Sequence, residues 1–244
     1  MAECKFCKKD KMLIRAHIIP QAIIARQVKQ YCCKNLIQIG RDREKPKPIK
    51  ANGYFDKDIL CSECDGQFGK YEEKLINFLH DSKNDYNYRN ISLAIKGILW
   101  KAHITNHQEF QNINLGKYSK VLYESLSNCF NIAVSIPPQD FLIWIKRYKN
   151  TSTIISTQDI LANMINCGIH CRDDYYGRLY RFDFWGYQIL IRVGGELLPK
   201  SFNRFLTYDQ HNISEITYSF TGSKNDIESS NRSILNVFQE VTIN

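Results

Sequence analysis

Cys4-Lys5-Phe6-Cys7, and much further along Cys61-Ser62-Glu63-Cys64, are the stretches that decide the fold. Each places two thiols three positions apart, in reach of a single ion. Two such knuckles present four thiolates at the corners of a tetrahedron, the arrangement Zn²⁺ takes at Zn–S distances of about 2.3 Å. One knuckle alone is ambiguous between metal and redox chemistry. Two in one chain predict a structural zinc that contributes directly to folding an N-terminal module. The opening Met1-Ala2-Glu3-Cys4-Lys5 carries charge and leads into no apolar stretch. The expectation is therefore no signal peptide, a cytoplasmic location and nine reduced cysteines.

Between the knuckles, residues 15–20 read as a short extended segment ended by Pro20. Residues 21–34 read as a helix with Ile23, Ile24 and Val28 on one face. Residues 41–50 form a basic loop broken by Pro46 and Pro48, and 53–60 lead as a strand into the second knuckle. A helix follows over 65–80, with Phe68, Tyr71, Leu75 and Leu79 at helical spacing. Further helices are expected at 91–107 and 117–130. Strand signals dominate from Ile132 onward, and residues 179–193 alternate on both sides of Trp185-Gly186, which predicts a β-hairpin. Residues 219–232 are polar and read as a loop or tail. The fold class is α+β: a small zinc-stapled module at 1–82, followed by a helical and antiparallel-β region at 83–244. No Gly/Ser linker marks the boundary near residue 82.

Composition removes several classes. Fourteen Tyr, 13 Phe and 3 Trp in 244 residues are too many apolar groups for a disordered chain. Twelve Gly and 6 Pro exclude collagen-like sequence. No apolar run approaches the roughly 18 residues of a membrane span. There is no P-loop, no G-x-S-x-G and no G-x-G-x-x-G. Charge is unevenly spread. Residues 1–50 hold 13 Lys and Arg against 4 Asp and Glu, so the surplus of +8 belongs to the first fifth of the chain. Such concentration is an electrostatic footprint for a polyanion. Arg15, Arg26, Lys29, Arg41, Arg43, Lys45 and Lys47 are the candidate phosphate contacts, which give affinity without sequence information. The competing reading is a solvated basic face.

The order of motifs is more specific than the charge. Ala16-His17-Ile18-Ile19-Pro20 lies between the knuckles, Cys61-Ser62-Glu63-Cys64-Asp65 opens a helix, and Tyr71-Glu72 follows. Together they resemble the HNH, or ββα-metal, endonucleases, and within them a bacterial subgroup with a Ser-His-Ile-Ile-Pro-type motif and Cys-x-x-Cys knuckles. Ile98-Leu99-Trp100-Lys101-Ala102 and Asn114-Leu115-Gly116-Lys117-Tyr118 are similar to segments of the same subgroup. The resemblance covers roughly the first half of the chain and fades after about residue 130. It implies a ββα-metal module, cleavage of DNA, a histidine on the first strand that deprotonates water, and a catalytic Mg²⁺ or Mn²⁺ held by the second strand and the helix. It also implies a setting in anti-phage defence or restriction, with a partner subunit. Oligomeric state, trigger and DNA preference are not legible.

The chemistry asks for these residue types independently. Phosphodiester hydrolysis needs a base that is neutral near pH 7, and histidine starts there. His17 is the candidate base. The reaction also needs a hard cation on oxygen ligands. Many HNH nucleases place a ligand just before the base histidine, and here that position is Ala16. The candidates left are Asp65, which also reads as a helix cap, with Glu72 two turns on along the same face and Asp56 before the second knuckle. If none of them serves, the scaffold is catalytically degenerate and binds nucleic acid or a protein partner without cutting. A third reading makes 83–244 the functional half, as a sensor or oligomerisation domain. His103 with His107 and Cys167-Gly168-Ile169-His170-Cys171 have metal-compatible spacing but no completing ligand, so structural roles are expected. Cys32-Cys33 read as free thiols, and Trp100, Trp144 and Trp185 as core anchors.

Overall fold

The computed structural model describes residues 1–30, 36–38, 47–49, 53–80, 87–130, 141–147, 164–173, 177–184 and 187–194. The expected tail at 219–232, the vicinal pair Cys32-Cys33 and the turn at Trp185-Gly186 lie outside them. The described architecture is mixed: helices, two small antiparallel ribbons and one larger sheet.

The first ribbon pairs β1 (Ala2–Glu3) with β2 (Asp10–Lys11) and carries Cys4 and Cys7 on the loop between them. Lys8 turns that loop with a φ of 60°, a conformation non-glycine residues seldom adopt. The second ribbon pairs β3 (Ala16–His17) with β6 (Phe55–Asp56), in register Ala16↔Asp56 and His17↔Phe55. Only two residues of the strand expected at 53–60 pair in this way. The rest is taken by the knuckle: the Lys5 N–H donates to Ile59 O at 2.9 Å, the Ile14 N–H to Leu60 O at 2.9 Å, and Leu13 bridges Cys61. The helix α1 (Gln21–Gln30) follows β3 and buries Ile23 and Ile24. Ile24 lies against Gly53, whose φ of +64° and lack of a Cβ allow the close approach.

The helix α2 (Ser62–His80) begins inside the second knuckle, three residues earlier than its apolar spacing suggests. The Asp65 N–H already donates to Cys61 O at 3.0 Å, and Glu63 and Asp65 place negative charge at the positive helix end. Phe68, Leu75, Phe78 and Leu79 are buried, with Tyr71 packed at the margin. α3 (Tyr88–Ile104) also starts and ends earlier than its pattern predicts, because Asn87 caps it by accepting the Arg89 N–H at 3.0 Å and Thr105 is extended. A 3₁₀ turn (Gln108–Phe110) and α4 (Tyr118–Phe130) complete the helical layer.

The larger sheet runs in the order β5 (Lys47–Ile49), β4 (Leu36–Gln38), β8 (Met164–Asp173), β9 (Gly177–Phe184), β10 (Tyr187–Val193), β7 (Phe141–Arg147). β4 and β8 are parallel and the other neighbours antiparallel. The expected hairpin is present in the pairing Tyr187↔Phe184. The segment between the knuckles therefore supplies two strands to a sheet otherwise built after residue 140.

Among the described residues, buried side chains from 1–80 and from 87 onward belong to one hydrophobic cluster. Phe6, in the middle of the first knuckle, packs against Phe68, Trp100, Tyr123 and Phe130, with ring centroids 4.9–5.6 Å apart. The Tyr123 hydroxyl donates to Phe6 O at 2.7 Å. The sheet is fastened to the helices at Asn114-Leu115-Gly116. Asn114 O accepts from the Tyr180 hydroxyl at 2.5 Å and from the Arg178 guanidinium. Gly116 has a φ of +54°, and a Cβ there would meet Arg178 Nη1 at 3.1 Å. The segment Asn114-Leu115-Gly116 is a docking turn. No helix among the described residues is long and apolar enough to cross a membrane.

Candidate functional site

The two knuckles converge. The sulfurs of Cys4, Cys7, Cys61 and Cys64 all lie within 4.8 Å of one another, with Cys7 Sγ and Cys61 Sγ 4.0 Å apart. A regular tetrahedron with bonds of about 2.3 Å needs sulfur separations of about 3.8 Å, so a small contraction suffices. None of the four is in a disulfide. Burial pushes Cys4 up, but the backbone N–H groups of Cys7, Cys61 and Phe6 outweigh it and bring its pKa to about 7. The Cys61 N–H stands 3.4 Å from Cys4 Sγ. Burial holds Cys7 and Cys64 above the ordinary thiol range. Four thiolates cannot share this volume without a cation among them, and a dication removes the obstacle by deprotonating its ligands. The cluster can hold a structural metal such as zinc.

His17 stands on the neighbouring ribbon. Side chains alternate along a strand, so Arg15, His17 and the opposed Phe55 share one face. The rings of His17 and Phe55 are 6.3 Å apart, and the exposed Arg15 guanidinium lies 3.3 Å from the Phe55 centroid. A cation thus sits on the same face as the candidate base. Ala16 and Asp56 project from the other face, and Ala16 is completely buried.

The three candidate carboxylates have different fates. Asp56 accepts the Thr105 hydroxyl at 2.5 Å, the Asn106 N–H at 3.2 Å and the Asp58 N–H at 2.8 Å. Burial opposes its charge, but these donors and Lys5 win and hold it below the ordinary carboxylate range. It ties the ribbon to the end of α3. Glu72 is buried in an ion pair with Lys101, itself wholly buried on α3. Burial holds Glu72 above the ordinary carboxylate range against the pull of the ammonium, and the charge of Asp65 adds to the shift. Asp65 sits half-buried in the first turn of α2, and its carboxylate alone of the three has no side-chain partner among the described residues. About 10 Å of helix rise separates it from Glu72.

Among the basic candidates, Arg15 and Arg26 are exposed. Lys29 and Lys47 lie on the described backbone of α1 and β5, with side chains outside the described set, and Arg41, Arg43 and Lys45 lie outside it altogether. His103 Nδ1 accepts the Leu115 N–H at 3.4 Å, and burial lowers its pKa. His107 Nδ1 accepts the Glu109 N–H at 3.3 Å and caps the 3₁₀ turn. Both act in the fold, as expected. Lys101 is the residue that sequence reasoning missed. Its signal was a single cation within Leu99-Trp100-Lys101-Ala102, where a charge on an apolar helix face needs a buried partner.

Comparison with protein-family models, curated proteins and solved structures returns no match.

Proposed function

We propose that the protein is a metal-dependent endonuclease of the HNH type that hydrolyses DNA phosphodiester bonds. The observation that carries the proposal is the succession of an antiparallel two-stranded ribbon bearing His17 and a helix that starts in the next knuckle, fastened beside a four-cysteine cluster. In this reading His17 takes the proton from the attacking water. Arg15, on the same face, holds a phosphate oxygen and orients the scissile bond. Asp65, with its carboxylate uncommitted among the described residues, would hold Mg²⁺ or Mn²⁺, which supplies charge stabilisation for the phosphate when bound. The basic residues of the first 50 positions, including Arg26, carry the rest of the backbone affinity. The resemblance to the bacterial subgroup is the support for a role in defence or restriction.

Specific observations favour a second reading, a scaffold that binds nucleic acid or a protein without cutting. Ala16 offers no ligand, Asp56 is spent on Thr105 and Asn106, and Glu72 is spent on Lys101. Plasmid DNA incubated with Mg²⁺, Mn²⁺ or EDTA separates the two. The nuclease reading expects cleavage that EDTA stops and that His17→Ala lowers by about 10²–10⁴-fold with DNA affinity kept. Wild-type protein that binds DNA and never cuts it favours the second reading. Cleavage that survives His17→Ala means that another group is the base.

A further inference from the structure

The Lys101 ammonium has two hydrogen-bond partners among the described residues. It donates to the Glu72 carboxylate and, at 2.6 Å, to the main-chain carbonyl of His17. The second contact follows from the ribbon's hydrogen-bond pattern. The Ile18 N–H donates to Tyr54 O at 2.9 Å, so Ile18 and Tyr54 form a hydrogen-bonded pair. In an antiparallel ladder such pairs alternate with pairs that exchange no bonds, and the His17–Phe55 pair is therefore of the second kind. Side chains approach closest there, as the His17 and Phe55 rings do. The carbonyl of His17 points away from β6, toward the outer edge of a strand with no other neighbour in its two-stranded sheet. Lys101 meets it there.

We infer that Lys101 and Glu72 form a positioning pair, joining α3 to α2 and clamping the backbone of His17 so that its side chain is held in one place. The inference rests on the reading of His17 as the base. Lys101 is 0% exposed, so its ammonium has no access to a phosphate and acts only through His17. A hydrophobic pair would fill the same space with less desolvation, but it would leave the carbonyl without a donor. The ribbon is also held by the Ile18–Tyr54 bond, by Asp56 at the end of α3 and by the buried Ala16 and Ile18, and Lys101 adds a direct hold on the main chain of His17 itself. A main-chain anchor matters because displacement of a reacting group by about 1 Å costs about 10²-fold in rate.

The test compares wild type with the double variant Glu72→Gln/Lys101→Met, which removes both charges together and so leaves no lone buried charge. Carbonyl-¹³C histidine combined with ¹⁵N isoleucine gives two NMR cross-peaks, from His17-Ile18 and His103-Ile104. His17→Ala identifies the first, and the second is the internal reference. The expected result is an upfield move of the His17 peak with the reference unchanged, and a fall of at least about tenfold in kcat for plasmid cleavage with KM for DNA and zinc content kept. A His17 peak that stays in place in the folded variant overturns the inference, as does a moved peak with unchanged kcat. An inert wild type overturns the nuclease reading instead, and the two peaks still decide whether the pair clamps the strand. If the double variant fails to fold, the charge-free pair Glu72→Leu/Lys101→Met is read by the same two peaks in its place.

Discussion

The cysteine cluster and the three candidate carboxylates belong to one fold, yet their predicted members behave differently. All four cysteines meet within 4.8 Å. Of the three carboxylates, one binds the end of α3, one pairs with a lysine, and one stays uncommitted among the described residues. A knuckle is a local object, in which three positions of sequence fix how two sulfurs stand. Little except a metal or a disulfide uses four thiols at that spacing. A carboxylate is generic: a hydroxyl, an ammonium or a backbone N–H serves it as well as a cation does. Its role is settled by whichever donor the packing brings closest.

The contrast predicts unequal penalties. Loss of the metal at the cysteine cluster comes first, since binding of about 10–16 kcal/mol to such sites is folding free energy. Freshly purified protein should hold one zinc per chain, and Cys61→Ser or a strong chelator should abolish the cooperative melt of the N-terminal half. A folded, metal-free preparation would erase the distinction drawn here. Second, Lys101→Met alone leaves the Glu72 charge buried without its partner and should cost about 3–5 kcal/mol in denaturant unfolding at pH 7. Adding Glu72→Gln should recover most of that. Equal costs for the single and double variants would mean that apolar packing, not charge, holds α2 to α3.

Asp56→Ala should cost less, about 1–3 kcal/mol at pH 7, by leaving the Thr105 hydroxyl and the Asn106 N–H unpaired. The pH dependence has a definite sign. The folded pKa of Asp56 is depressed, so its contribution is present above the unfolded value of about 3.9 and fades as pH falls through the folded one. The wild-type advantage over Asp56→Ala should therefore shrink below pH 4. An advantage constant down to pH 2 would assign it to packing. The smallest effect belongs to the exposed pair of Lys11 with Glu63, 2.5 Å apart at the rim of the cluster. Solvent screens it, and Glu63→Gln should leave the melting temperature unchanged within error. A clear loss there would show that the charge rim supports the knuckle.

Helical spacing located α2, α3 and α4, because buried residues recur every three to four positions whatever they pack against. It misplaced the starts of α2 and α3 by three residues, since the caps are made by Cys61 O and Asn87, outside the apolar pattern. Alternation gave the pairing of β9 with β10. It did not show that Leu36–Gln38 and Lys47–Ile49 join the same sheet, because a three-residue strand has too few alternations to read. The contacts of Phe6 with Trp100, Tyr123 and Phe130 join residues on either side of position 82, and no local pattern in the sequence records them.

By itself the sequence determined the α+β class, the four residues able to hold a structural metal, and the basic character of the first 50 positions. These depend on short-range spacing and on composition, which the chain carries wherever it folds. Tertiary structure alone decided that Asp56 and Glu72 are committed elsewhere, that Asp65 is left uncommitted among the described residues, and that Lys101 reaches the main chain of His17. The pairs Lys101–His17 and Asp56–Thr105 join residues far apart in sequence, and their energies depend on burial and donor geometry that no local pattern records.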